Sequence, residues 1–232
     1  MNQAAQNQTS VITTAGESNL DVDPELAELY LTIAAQEPDR TLAVRKVTER
    51  AAQAKVVLDS YSAAIERTET GGVSVYPQYK DGNNRIIGYQ ASLSSTVRVT
   101  DFAVLGEMLG ALGRCDGASF HGPNWRLRDN SEHYRAARLA AVEDALRRAR
   151  DYAAALGTQV TGLIELADSG LLSGGNADHG GGSMMMARGF AGAAGMSDAA
   201  QPAFDLQPAR QSVTARIEAR FSVQPPDLAN RA

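Results

Sequence analysis

The side chains best suited to metal chemistry in this chain are three consecutive methionines, Met184, Met185 and Met186, preceded by His179. Thioether and imidazole groups suit Cu(I), so these four residues are the candidates for a copper site. Methionines are also flexible and polarizable, and together with Phe190 they would give an adaptable apolar contact to another subunit. A third interpretation is that this Gly-rich segment is disordered. We predict no bound metal and no cofactor, and retain the four residues as the candidates.

Cys115 and His121 form the other pair whose types could do chemistry, because a histidine beside a thiol can activate it as a nucleophile. The single cysteine lies in a loop between Gly113 and Gly117, where an inert thiol is the more common case. His133 falls at the start of a helix, and no HExxH, CxxC or Ser-His-Asp pattern links the histidines. We therefore predict no catalytic residue; an enzyme that uses Cys115 or a carboxylate stays an alternative.

Composition and charge argue against several function classes. The chain has 232 residues, 44% of them hydrophobic, and a net charge of -5, values typical of an ordinary globular protein. The acidic balance and the lack of a dense Lys/Arg run argue against nucleic-acid binding. No apolar run approaches the ~20 residues that span a bilayer. The polar start, Met1–Ser10, is not typical of a signal peptide, so we expect a cytoplasmic protein or a mature form with an added Met1.

Two helices have the clearest periodic signal. Over residues 40–64, apolar positions recur at spacings of three and four, which places them on one stripe of a helix. That stripe consists of Val44, Val47, Ala51, Ala54, Leu58, Tyr61 and Ile65. A second helix is predicted from a cap at Asn130 or Ser131 to about residue 156, where Gly157 is a typical stop. Its stripe consists of Tyr134, Ala137, Ala141, Ala145, Ala149, Tyr152 and Leu156.

Alternating segments predict the strands on which these helices pack. From Glu28 onward, polar residues alternate with apolar ones, which predicts a strand with one buried face. The strand Val73–Tyr79 contains Pro77, which cannot donate a ladder hydrogen bond, so we expect it to be an edge strand or to end there. Edge strands present unpaired backbone groups, which makes this one a natural subunit contact. The contact candidates are Val73, Val75, Tyr76, Tyr79, Met184, Met185, Met186 and Phe190.

The predicted fold class is α+β, with two long amphipathic helices packed on antiparallel sheet. A long Gly/Met-rich loop is expected before the last strand, Gln211–Val223. In the predicted organisation, residues 1–9 are a disordered tail and residues 10–224 are one domain. Residues 173–209 are a flexible loop inside that domain, and residues 225–232 are a second tail.

Several short motifs, taken in order, resemble the SIMPL-domain family over roughly residues 10–224. Asp23-Pro24 precedes the first long strand, and Gly88-Tyr89-Gln90-Ala91 enters a strand that ends in Val97-Arg98-Val99. The other matching pieces are Ala64-Ile65-Glu66 after the first helix, Ala153-Ala154-Ala155-Leu156-Gly157 at the end of the second, and the closing strand Val213–Val223.

The resemblance implies an α+β protein that is exported to the bacterial envelope and assembles into a ring-like or channel-like homo-oligomer. It also implies links to oxidative-stress tolerance and to surface antigens, and it supplies no catalytic residues. We therefore predict a non-enzymatic, self-assembling envelope protein, periplasmic or secreted. Its expected partner is itself, with no nucleic acid, and with membrane association only through assembly or a removed anchor. The alternative is a stress protein that binds a small molecule or a metal such as copper.

Overall fold

A computed structural model describes residues 10–80, 83–172 and 206–227, and within these ranges the chain forms seven β-strands and three α-helices. The strands form two antiparallel sheets, which confirms the α+β class. The expectation of two long helices packed on antiparallel sheet is not confirmed in that form. The two sheets lie in different parts of the chain, and each has its own helix.

The chain divides into two compact units, which are considered separately below. The described residues of the first, the central unit, are 23–80, 83–128 and 206–211. The described residues of the second, the split unit, are 10–22, 129–172 and 212–227. The split unit is therefore discontinuous in sequence, with the central unit inserted into it.

The central unit is built on a four-stranded sheet with the order β3-β4-β2-β5 and antiparallel neighbours. Its strands are β2 (Leu26–Glu37), β3 (Ile65–Lys80), β4 (Asn83–Val99) and β5 (Ala118–Arg126). Its helices are α1 (Arg40–Ser60) and α2 (Leu105–Leu112), the latter preceded by a 3-10 turn at Phe102–Val104. Strand β4 returns antiparallel to β3, and Asp101 caps the turn by accepting a hydrogen bond from the Ala103 N–H at 3.0 Å.

Helix α1 starts where the sequence predicts, and its buried stripe contains the predicted Val47, Ala54 and Leu58 but differs at its start. The Asp39 side chain accepts hydrogen bonds from the backbone N–H groups of Thr41 at 2.8 Å and Leu42 at 3.0 Å, which satisfies two donors that a helix start leaves free. Val44 was expected on the stripe but is 39% exposed, whereas Ala43 is fully buried. Ala43 clusters with other small residues of the sheet, and its lack of bulk permits close approach of helix and strand. The buried residues of α1 are Ala43, Val47, Ala54 and Leu58.

The core of the central unit lies between one face of its sheet and the two helices. Leu29, Leu31 and Ile33 alternate along β2 and are all buried, as the sequence pattern predicts. They cluster with Val97 and Val99 of β4. Helix α2 completes this core with Leu105, Met108, Leu109 and Leu112, which are all buried.

Strand β3 is an edge strand, as Pro77 predicts, but it neither begins nor ends where expected. It covers 16 residues from Ile65 to Lys80, and Pro77 pairs in register with Tyr89. A proline is tolerated inside an edge strand because its missing N–H can face away from the neighbouring strand. Ile65, expected at the end of the preceding helical stripe, instead begins β3.

The split unit contains a three-stranded sheet with the order β1-β7-β6 and one helix. Its elements are β1 (Ser10–Val22), α3 (Glu132–Ala155), β6 (Val160–Asp168) and β7 (Gln211–Val223). Strand β1 continues without a break through Gly16. Ser131 caps α3 by accepting a hydrogen bond from the His133 N–H at 3.3 Å, and Gly157 adopts a φ of 65° just after the helix.

Helix α3 packs against β1 through small residues. Its buried positions include the predicted alanines Ala137, Ala141, Ala145 and Ala149, followed by Ala153. The predicted ends of the stripe are wrong, because Tyr134, Tyr152 and Leu156 are exposed. A Cβ added to Gly16 would lie 2.0 Å from the Ala141 carbonyl oxygen, so strand and helix are in direct backbone contact.

Asp144 is a charged residue inside the interface between α3 and β1. Its residue surface is 6% exposed, and its carboxylate accepts a hydrogen bond from the Glu17 N–H at 3.1 Å. The guanidinium of Arg148 lies 2.9 Å from the same carboxylate, and Arg147 also contacts it. One buried acid thus anchors the side chains of Arg147 and Arg148.

Candidate interaction surface

Four of the predicted contact residues lie on β3. Val73, Tyr76 and Tyr79 are exposed, whereas Val75 packs against the small cluster around Ala43. The remaining predicted contact residues, Met184, Met185, Met186 and Phe190, lie outside the described residues, as does His179. The edge strand therefore supplies three accessible apolar side chains, and the Gly/Met segment stays a prediction.

The hairpin made by β3 and β4 extends beyond the strand that supports its base. Strand β2 ends at Glu37, which pairs with Tyr89, whereas β3 and β4 continue to pair up to Lys80 and Asn83. We call residues 77–80 and 83–88 the hairpin arm. Along the arm, Tyr79, Ile86 and Ile87 are about half exposed, at 51%, 45% and 54%.

Apolar side chains on an isolated two-stranded ribbon are unusual unless another surface covers them. A lone hairpin is only marginally stable in water, and contiguous exposed apolar surface typically marks an interaction site. Side-chain hydrogen bonds fix the base of the arm: the Gln78 amide donates to Gln90 at 3.1 Å and accepts from Gln36, and Ser74 bonds Ser92 at 2.7 Å. The arm is therefore held in register at its base and presents its apolar side chains beyond it.

A second feature, missed by the sequence analysis, is a buried acid in the same sheet. Glu28 is 4% exposed, although its position in the alternation suggests a solvent-facing residue. Its carboxylate accepts hydrogen bonds from the Tyr30 hydroxyl at 2.7 Å, from Arg126 at 3.0 Å and from Arg98 at 3.2 Å. The in-register pairing of Glu28 with Arg98 is the signal that could have revealed this cluster, had the strand pairing been known.

The Glu28 cluster lowers the pKa of Glu28 and raises the pKa of Tyr30. Burial alone would raise the pKa of the Glu28 carboxyl, but the hydrogen bonds from Tyr30, Arg126 and Arg98 outweigh it, and the pKa lies below the ordinary value of 4.5. The hydrogen bond that the Tyr30 hydroxyl donates to this carboxylate raises the pKa of Tyr30. The cluster joins β2 to β4 and β5 and is best read as a structural ion-pair network.

The split unit has an apolar groove between α3 and β6, with a volume of about 320 Å³. Val142 and Leu146 of α3 form one wall, and residues of β6 form the other. Two irregularities in the β6–β7 register place Val160, Leu163 and Leu166 opposite the core-facing residues of β7, so all three line the groove. Among the described strands, β6 is also an edge of its sheet, so the groove opens beside backbone groups that no described strand pairs with.

Of the residues considered for catalysis, Cys115 lies in the loop between α2 and β5, and His121 lies on β5. The Cys115 thiol donates a hydrogen bond to the Ala111 carbonyl oxygen at 3.8 Å and packs against the central core. His121 is exposed on β5 opposite Tyr30, and His133 belongs to the other unit at the start of α3. Within the described residues, no group of three or more His, Cys, Asp or Glu side chains could hold a metal ion.

The helices in the described part of the chain include none that is both long and apolar enough to cross a lipid bilayer. This agrees with the hydropathy of the sequence. Within the described residues, the hairpin arm and the groove each present several large apolar side chains that are at least partly exposed.

Comparison with known proteins gives a family and two named relatives. The sequence profile of the SIMPL family, described as a protein of unknown function (DUF541), matches residues 12–221. The 26 kDa periplasmic immunogenic protein of Brucella melitensis biotype 1 is 30% identical over 174 residues, which cover 69% of this chain and 67% of that protein. The protein of the same description from Brucella abortus (strain S19) is similar to the same extent.

Proposed function

The chain belongs to the SIMPL family of proteins of unknown function, and from that premise we propose that it is a self-assembling protein of the bacterial cell envelope that acts through assembly rather than catalysis. The proposed assembly is a ring-like or channel-like homo-oligomer, with a role in tolerance of oxidative stress. The relatives are described as periplasmic, which supports an envelope location.

The observation that carries the proposal is the hairpin arm on the edge of the central sheet. Burying apolar surface stabilises association by roughly 25 cal/mol per Å² removed from water. Tyr79, Ile86 and Ile87 keep about half of their surface in contact with solvent in the single chain. An edge strand can in addition exchange backbone hydrogen bonds with another chain. Both features favour contact with a further protein surface, and a second copy is the proposed partner.

Absolute mass by light scattering after size exclusion, with negative-stain images of the same peak, tests this function. We expect the wild-type chain to give one mass that is a multiple of the chain mass of 24.6 kDa. The double variant Ile86→Lys, Ile87→Lys should dissociate, because whichever face of the arm enters the contact, a lysine would have to be buried there unpaired. Val56→Lys is the matched control, since Val56 is a highly exposed apolar residue on α1, away from the arm. A wild-type protein that stays monomeric at high micromolar concentration contradicts the proposal.

A further inference from the structure

Among the described residues, the hairpin arm and the α3–β6 groove have opposite shapes. The hairpin arm projects beyond β2 and presents Tyr79, Ile86 and Ile87 on a narrow ribbon, so it is convex. The groove between α3 and β6 is concave and is lined almost entirely by apolar side chains. A projection does not complement a second projection, and a groove does not complement a second groove. By shape, the surface that complements the arm of one copy is therefore the groove of another copy.

We propose that the hairpin arm of one copy docks into the α3–β6 groove of a second copy, an inference that rests on the self-assembly proposed above. Each chain carries one arm and one groove, so the contact is heterologous: the arm of each copy enters the groove of the next. Heterologous contacts generate a ring when the rotation between copies closes, and an open filament when it does not. In the proposed ring, the α3–β6 groove is thus the surface that accepts the arm of the neighbouring copy.

The size of the groove fits a small number of large side chains. Its 320 Å³ corresponds to roughly ten liquid waters. A tyrosine and an isoleucine side chain together have about a dozen non-hydrogen atoms, so Tyr79 and one of the two isoleucines would fill it. Leu163 and Leu166 are 57% and 46% exposed in the single chain, and an inserted arm would remove this surface from water.

Strand β6 lacks most of the side chains that usually prevent an edge strand from pairing with another chain. Natural edge strands commonly carry lysine, proline or an unpaired charge that blocks further strand addition. Strand β6, with the sequence VTGLIELAD, has no lysine and no proline. Its central charge, Glu165, is paired with Arg220 of β7 at 3.2 Å. The other charge of β6, Asp168, lies at its end, so an arm that pairs with β6 through residues 83–88 of β4, which include no lysine and no proline, could extend the β1-β7-β6 sheet.

Two variants and their mixture test the contact. The arm variant carries Ile86→Lys and Ile87→Lys, and the groove variant carries Leu163→Lys and Leu166→Lys. Each alone should raise the concentration for half-assembly by at least about tenfold, because a lysine replaces a central apolar contact. The control Leu171→Lys, which changes a residue exposed at 72% outside the groove lining, should assemble like wild type. Circular dichroism confirms that each variant keeps its fold.

The mixture distinguishes a heterologous contact from a symmetric one. The arm variant retains a working groove, and the groove variant retains a working arm. An equimolar mixture can form one intact contact, so we expect a heterodimer and nothing larger. If the arm variant dissociates while the groove variant assembles like wild type, the inference is overturned and the proposed self-assembly stands. If the wild-type chain is itself a monomer, both are overturned.

Cross-linking provides a second measurement that does not depend on charged substitutions. In chains that carry Cys115→Ser, Ile87→Cys on one copy and Leu163→Cys on another should react with a short bismaleimide to give a covalent heterodimer. Leu171→Cys in place of Leu163→Cys is the matched control and should give at least about tenfold less product. Equal yields from the two pairs overturn the arm–groove contact.

Discussion

Replacing Glu28 by glutamine tests whether the buried ion-pair cluster holds the central sheet together. The substitution keeps the shape of the side chain but removes the negative charge that pairs with Arg98 and Arg126. It also places an amide N–H group opposite a guanidinium N–H group, and two donors cannot hydrogen-bond to each other. Losing one partner of a fully buried ion pair costs about 3–5 kcal/mol. Here the side chains of Arg98 and Arg126 are 34% and 58% exposed, so water regains part of their charge. We therefore expect a loss of about 2 kcal/mol in the free energy of unfolding at pH 7.

The pH dependence of this loss has a definite sign. The pKa of Glu28 is lower in the folded protein than its ordinary value of 4.5. A carboxyl with a lowered folded-state pKa contributes its full stabilisation above the unfolded pKa and loses it as pH falls through the folded pKa. The stability difference between wild type and Glu28→Gln should therefore stay constant at neutral pH. It should shrink progressively once the pH falls below about 4.5.

Urea unfolding followed by tryptophan fluorescence gives the required free energies for the central unit alone. Trp125 is the single tryptophan of the chain, lies on β5, and contacts the Phe102 ring edge-on at a centroid distance of 4.9 Å. The control is Glu69→Gln, which removes an exposed ion pair with Arg67 and should change stability by less than about 0.5 kcal/mol. A Glu28→Gln loss as small as that of the control, or one that is unchanged at acidic pH, would refute the reasoning.

Two further substitutions test the contacts that position the helices. Gly16→Ala would place a Cβ 2.0 Å from the Ala141 carbonyl oxygen, so we expect the split unit to lose about 3 kcal/mol, seen as a lower thermal midpoint by circular dichroism. Gly72→Ala, whose Cβ would meet no atom within 4 Å, is the control, and equal effects of the two would contradict the predicted close packing. Asp39→Ala removes the cap of α1 and should cost about 1 kcal/mol in urea unfolding. Asp39→Asn should cost clearly less, and a cost equal to that of alanine would argue that the cap does not stabilise the helix.

Local signals predicted the local structure well. Asp39, Asp101, Ser131 and Gly157 mark helix ends because capping chemistry depends only on residues near in sequence. The alternation of Leu29 with Leu31 gives the buried face of β2 for the same reason. These features need no knowledge of what packs against them, and the structure places them where the sequence indicates.

Features that depend on distant partners could not be predicted from sequence. The sequence does not determine which of two neighbouring residues at the edge of a helical stripe is buried. Packing in the small cluster around Ala43 buries Ala43 and leaves Val44 exposed. Glu28 and Asp144 look solvent-facing until the strand and helix that supply their partners are known. The groove depends on the β6–β7 register, which local pattern does not specify. The predicted Gly/Met contact residues lie outside the described residues and stay a prediction.

The interrupted sequence of the split unit sets an order of events during synthesis. Glu17 of β1 pairs with Arg216 of β7 across a separation of 199 residues. At about 5–20 residues per second, β1 is made roughly 10 s or more before the strand that completes its sheet. Strands β2 to β5, by contrast, emerge together, so the central unit can fold while β1 still lacks a neighbour. In a chain that folds in the order of its residues, the central insert therefore forms first, and the split unit closes only when β7 follows.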